Sequence, residues 1–306
     1  MSDTTLANAI DAEQSRSGRY VREAESREAE RRPRRLRRRP WVGYATVAAL
    51  AVFAFIPVIW MIITAFTSEE SIFRDPLGAD RTWTLENFTA VLTDPNLVRF
   101  IGNGLFVSLT TSVVSLAVGF LAGYSFSKFR YRGRSTAMYT LLLAQMVPEV
   151  LLLLTLYTTM AKFGLLNTYP ALIISYTTFT LPLSVLMMKN AFDAVPDELI
   201  EAGRIDGASE WRIMNSVIFP VVKTSMIAVC MFAFIRAWND LVYALTLVDT
   251  SKQTLPAGLT LTYLGEFQSQ YGQMMAASLI SSLPVIAIFL VFQKQFVSGA
   301  LAGSIK

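Results

Sequence analysis

Glu149 and Arg236 each stand near the middle of a long apolar run, with Gln145 one helical turn before the glutamate. A charge in a hydrocarbon setting is costly and is retained for a task. The two could pair and lock helices together, or could line a water-filled cavity with Gln145. Pro148 should kink the helix beside Glu149, which suits a moving or pocket-forming element. Trp238, Asn239 and Asp240 follow Arg236 and offer a ring face, an amide and a carboxylate, unless Trp238 only anchors a helix end at an interface.

Other chemistry is excluded. The chain has no His, and its one Cys, Cys230, lies in an apolar run. Zinc, haem and thiol centres, a His-based triad and an internal disulfide all lack their residues, so no metal site is expected. No G-x-x-x-x-G-K-[ST] occurs, so the chain cannot hydrolyse ATP through a P-loop. Nothing reads as an enzyme, and no cofactor is expected on this chain.

The elements that position these residues are apolar runs. Of 306 residues, 53% are hydrophobic and 16% charged, too apolar for an average soluble domain. Six stretches reach spanning length, at about 41–67, 100–127, 135–161, 163–188, 224–248 and 267–293. The expected fold is an all-α integral membrane protein of six transmembrane helices. Residues 1–40 are polar, end in RRPRRLRRRP, and cannot bury a core. Their place against the first span favours an orientation and lipid-surface role over nucleic acid. Placing the N-terminus inside puts 21 of the 27 Lys and Arg on the cytoplasmic side and 5 outside, so both termini are expected in the cytoplasm.

That orientation makes residues 189–223 a long cytoplasmic connection containing ELIEAGRIDGASEWRIMNSVIFP. Pro196 is placed to start a helix, with Asp197 and Glu198 favourable in its first turn. Gly207 should bend the chain. A second short helix over about 208–218 would align Trp211, Met214 and Ile218 as one apolar stripe and end at Pro220. The bland alternative is a solvated loop whose charges only keep it cytoplasmic.

Here the sequence resembles a family. Glu201-Ala202-Gly203, then Gly207, then Val217-Ile218-Phe219-Pro220 follow the E-A-A, three residues, G, nine residues, I-x-L-P pattern. That pattern marks inner-membrane permeases of ATP-binding-cassette importers, and Asp206-Gly207-Ala208 is as in sugar permeases. Gly203, Val217 and Phe219 depart from it. TLENFTAVL, SKFRYRGR, AWNDLVYAL, TLPAGL and QKQFVSGALAGSIK also resemble segments of MalG-type carbohydrate permeases, in order over residues 41–306. The Arg-rich extension has no such counterpart.

The resemblance implies the type I importer permease fold, with the Glu201–Pro220 loop as a coupling helix seated in a cytoplasmic ATPase. Glu201, Ala202, Gly203, Asp206, Gly207, Ala208, Trp211 and Pro220 would form it; Trp211 and Met214 would anchor there or rest on the membrane interface. ATP and Mg would belong to two ABC ATPase subunits, and a second, MalF-like permease would share the path. An extracytoplasmic sugar-binding protein would meet the 249–271 region through Tyr263, Glu266 and Gln268. The substrate implied is a disaccharide or oligosaccharide, for which Trp238, Asn239 and Asp240 suit stacking and hydroxyl bonding. The location implied is a prokaryotic inner membrane. An ion-coupled secondary transporter or channel working through Glu149 is the rival reading, with a non-transporting scaffold behind it; the rival would show inverted internal repeats, and none is seen.

Overall fold

The computed structural model describes residues 40–74, 81–264 and 270–302, except the side chains of 40, 42 and 295–302. The expected tail up to residue 39, and the candidate residues Glu266 and Gln268, lie outside the described residues. The helices in order are α1 (Pro40–Ala65), α2 (Glu69–Arg74), α3 (Glu86–Thr93), α4 (Pro95–Lys128), α5 (Arg134–Ala144), α6 (Glu149–Lys162) and α7 (Tyr169–Asp193). There follow α8 (Asp197–Ile205), α9 (Glu210–Ile213), a π turn at Met214–Ile218, α10 (Phe219–Trp238), α11 (Val242–Leu247), α12 (Leu255–Tyr263) and α13 (Tyr271–Ala302). The described residues form an all-α protein with five helices long and apolar enough to cross a membrane, or six if the bent pair α5–α6 is one span.

The chain divides into two units after Val58. In the first, the described part of α1 is apolar and its side chains are exposed, as a lipid-facing helix requires. The second unit, from Ile59 onward, is built on α4 and α7. Asp94 caps α4 by accepting from the Asn96 N–H at 2.9 Å, with Pro95 in the first turn, so the helix begins before the expected residue 100. Ser115, Gly119 and Gly123 recur every four residues on α4, on the face that meets α7. Ser115 and Thr180 hydroxyls bond at 2.7 Å. A methyl on Gly119 would come within 3.1 Å of Ser184 Cβ, and one on Gly123 within 2.7 Å of Met188 Cβ. Backbones this close leave no room for side chains between them.

Two expected spans are broken. The run 135–161 is not one kinked helix: α5 and α6 meet at 101° across residues 145–148. Pro148 cannot donate to a continuing helix, and its extended backbone (ψ 130°) starts α6 afresh. The run 224–248 ends at Trp238, where Asp240 Oδ1 accepts the Tyr243 and Ala244 N–H groups at 3.0 and 3.3 Å and opens α11. The fourth span begins at Tyr169, not 163, because Gly164 and Asn167 take positive φ (67° and 58°) and turn the chain.

The segments between the long helices at the end opposite the 189–223 connection pack on helix ends. Glu69 accepts the Tyr271 and Gly272 N–H groups at 2.9 and 3.0 Å, capping α13. Asn103 Nδ2 donates to the Ser251 and Gln253 carbonyls, and Tyr169 Oη donates to Asn103 Oδ1 at 2.8 Å. Gly258 of α12 lets the Phe100 ring lie on its backbone, since a methyl there would come within 2.3 Å of that ring.

The α4–α7 seam gives a direct test. Gly123→Ala should destabilise the protein by about 1–3 kcal/mol through overpacking. Gly102→Ala, whose methyl would meet nothing within 4 Å, should leave stability unchanged. Thermal unfolding in detergent measures both; equal midpoints would refute the close seam.

Candidate functional site

The polar loop folds into a helical hairpin. α8 ends in a left-handed glycine, Gly207, at φ 74°. The Ala208 N–H reaches the Gly203 carbonyl at 3.0 Å and the Gly207 N–H reaches the Arg204 carbonyl at 3.0 Å, the paired bonds of a Schellman ending. Ser209 then caps α9, accepting from the Arg212 N–H at 3.3 Å. Arg204 and Glu210 bridge the bend at 2.8 Å. Side-chain and backbone groups therefore fix the turn from both sides.

Two expectations for this loop are corrected. Trp211, Met214 and Ile218 do not share a buried stripe: Trp211 is 73% exposed, while Ile213 and Ile218 are buried and Met214 is partly so. The π turn adds a residue to the repeat, bringing positions five apart onto one face. Pro220 does not end the helix either. It lies in the first turn of α10, directly after the π turn, so the helical path runs from Glu210 to Trp238 without a gap. A changed hydrogen-bond register there accommodates the missing proline N–H. The hairpin is thus joined rigidly to a membrane helix.

Gly203, which departs from the family's second alanine, has a local reason. Its face lies against the buried Ile213, and a methyl there would come within 3.1 Å of Ile213 Cγ1. Outward, the hairpin presents Glu201, Ala202, Asp206, Gly207 and Trp211, with Leu199 45% and Ile205 86% exposed; Ala208 is partly covered.

Lys128, which the sequence reading did not single out, fastens the hairpin to the second span. Its ammonium donates to the Val195 carbonyl at 2.8 Å and to Asp197 Oδ1 at 2.6 Å. The hydrogen bond from Lys128 holds the Asp197 carboxyl below the usual carboxylate range, with the ammonium's charge acting in the same direction. The basic SKFRYRGR segment carried this signal only as charge.

Within the membrane part, Glu149 and Arg236 form an ion pair, each side chain about half exposed (48% and 46%). Tyr243 Oη donates to the Glu149 carbonyl at 2.7 Å, so α11 braces the start of α6. Gln145 closes α5 on the far side of the break and is exposed, so it does not share a helix face with Glu149 as expected. Trp238 is not a free platform. It is 4% exposed, stacks on Phe234 at 5.5 Å and packs over Gly104. Asp240 accepts from Tyr176 Oη at 2.9 Å in addition to capping α11. Asn239 donates to the Ile235 carbonyl at 2.9 Å and is exposed. Tyr263 is buried, with its hydroxyl toward Asp94 at 3.4 Å, so it secures α12 and offers little surface to a partner. Tyr176 and Tyr243 were missed because an aromatic in an apolar run carries no sign of what its hydroxyl will reach.

Residues 115–301 match the model of a family described as binding-protein-dependent transport system inner membrane component. The chain belongs to that family. It is therefore a multi-pass transport permease component, not a catalytic enzyme. The trehalose/maltose transport system permease protein MalG of Thermococcus litoralis is 32% identical over 84% of this chain and 93% of its own length. The diacetylchitobiose uptake system permease protein NgcG of Streptomyces coelicolor is 28% identical, over 87% of this chain and 88% of its own. Among solved structures, a chain of a bacterial ABC transporter that imports the acidic polysaccharide alginate superposes with a TM-score of 0.69 at 22% identity. That match covers 86% of this chain and 99% of the other, and supports the fold.

Two outcomes check this permease's geometry. Stability from the Lys128–Asp197 bond is present above the ordinary carboxylate range and is lost as pH falls through the lowered Asp197 value. Protection of the α8 amides, taken as their exchange relative to an unfolded peptide at the same pH, should therefore fall below about pH 4. Asp197→Asn should exchange fast already at neutral pH. For the membrane pair, Glu149→Gln and Arg236→Gln should each lower the unfolding midpoint, with a coupling of about 0.5–3 kcal/mol in the double variant. Additive losses would mean the two groups act separately.

Proposed function

We propose that this chain is one of two permease subunits of an ATP-driven, binding-protein-dependent importer of a disaccharide or oligosaccharide. It forms the translocation path with a second, MalF-like permease and is driven by two cytoplasmic ABC ATPase subunits, which hold ATP and Mg. An extracytoplasmic sugar-binding protein delivers the substrate. Both termini and the α8–α9 hairpin face the cytoplasm of a prokaryotic cell. The names of relatives that carry trehalose, maltose and diacetylchitobiose support the substrate class.

The observation that carries this reading is the hairpin itself. A coupling element must be rigid, must expose a surface to its motor and must connect directly to a moving span. The Gly207 turn is fixed by backbone bonds, the exposed face carries Ile205 and Trp211, and α9 runs into α10. Closure of an ATPase pair against this face would push on α10, which carries Arg236. The Glu149–Arg236 pair, at the break between α5 and α6, would separate or re-form as the path opens and closes.

Affinity purification of the chain from its native membrane tests the assembly. Recovery of a Walker-type ATPase, a second permease and a soluble binding protein is the expected result. A chain recovered alone that moves solute under an ion gradient would refute it. Gly207→Pro and Glu201→Lys should each abolish sugar uptake while the protein stays in the membrane, and normal uptake by both would remove the coupling role.

A further inference from the structure

A basic cavity of about 500 Å³ lies where the second span ends and the third begins, lined by Phe126, Arg130, Tyr131, Arg134, Tyr139 and Lys189. The Lys128–Asp197 bond places it at the end of the bundle that carries the α8–α9 hairpin. Lys189 is paired with Asp193, but among the described residues no carboxylate lies within salt-bridge distance of Arg130 or Arg134. Arg134 donates one bond, from Nη1 to the Phe129 carbonyl at 3.2 Å, leaving most of its guanidinium to face the cavity. Asp193 and Asp197 act on Arg134 and Arg130 only at longer range, so the cavity keeps two guanidinium groups free of direct ion pairs.

We propose that this cavity binds the phosphate headgroup of an anionic glycerophospholipid from the leaflet on the hairpin side. Arg130 and Arg134 would meet the phosphate, since a guanidinium fork matches its oxygens. Lys189 adds charge from α7. Tyr131 and Tyr139 are 45% and 65% exposed, and rings with a polar tip favour the boundary between headgroup and acyl chain. The choice of a lipid over a soluble anion rests on what continues from the cavity. α5 leads from Arg134 into the exposed apolar side chains Tyr139, Leu143 and Met146, a surface that suits acyl chains and has nothing to offer a free phosphate. A bound lipid would tie α5, one half of the broken span, to the α4–α7 post beside the hairpin. Naming the inner leaflet rests on the proposed orientation; the chemistry of the site does not.

The test uses the assembled transporter in detergent and in nanodiscs of phosphatidylcholine, with and without phosphatidylglycerol. Native mass spectrometry should find phosphatidylglycerol retained in preference to phosphatidylcholine, and Arg130→Gln/Arg134→Gln should weaken that retention roughly thirtyfold. Arg130→Lys/Arg134→Lys should restore part of it, whereas Arg81→Gln, in the outer segment, should change nothing. Equal retention of the two lipids by wild type, or unchanged retention in the double Gln variant, would overturn the site. Displacement of the lipid by inorganic phosphate at comparable concentration would overturn the lipid assignment in favour of a soluble anion. If the double variant does not assemble, the wild-type comparison alone decides. Labelling of an introduced cysteine beside Arg130 from one side of sealed vesicles tests orientation separately, so either idea can fail without the other.

Discussion

A backbone N–H or C=O that leaves its helix inside lipid has no water to bond, so every interruption must be satisfied by the protein itself. One interruption among the described residues shows the constraint directly. At residues 239–241, Asp240 supplies an oxygen to the first turn of α11 and Tyr176 holds the same oxygen. At the break between α5 and α6, Pro148 removes a donor that would otherwise need a partner, and Tyr243 braces the start of α6 through the Glu149 carbonyl. Asp240 is therefore first of all a partner of broken backbone, whereas Glu149 and Arg236 partner each other. Their position at breaks is also what gives them a place where helices can move.

Against these interrupted helices stands a part with almost no freedom. The α4–α7 seam brings Gly119 and Gly123 into backbone contact range, and small residues there exchange side-chain volume for close approach. Van der Waals contact over such a seam is lost steeply with separation, so the two helices move as one body. The hairpin is fastened to that body through Lys128 and continues into the membrane part through the helix from Glu210 to Trp238. An element joined to both a fixed post and a moving span is well placed to carry force between them.

The charge distribution serves the same division. The pair within the membrane part answers the cost of leaving either charge alone in an apolar setting. The charges around the hairpin, Arg204 with Glu210 and Lys128 with Asp197, brace a turn whose backbone bonds already define it. Arg130 and Arg134 are the exception, since among the described residues neither forms a direct ion pair, and Asp197 and Asp193 act on them only at longer range.

The family, the all-α class and the existence of the hairpin were legible in the sequence, because apolar length, proline and glycine placement and the E-A-A spacing are local properties. Gly207 is readable for the same reason: a left-handed turn needs no partner beyond its own helix. What the sequence did not carry was register and reach. A π turn shifted the stripe from Trp211 to Ile213, since one changed hydrogen-bond step rotates every later side chain and leaves composition untouched. Trp238 and Tyr263 are buried because Gly104 and Asp94 come to them from elsewhere in the chain, and burial is a property of neighbours. Glu149 and Arg236 could be named as costly charges from their surroundings alone. Only the tertiary structure decided that they pair, because 87 residues of chain separate them and α11, braced on the Glu149 carbonyl, helps hold α6 beside Arg236.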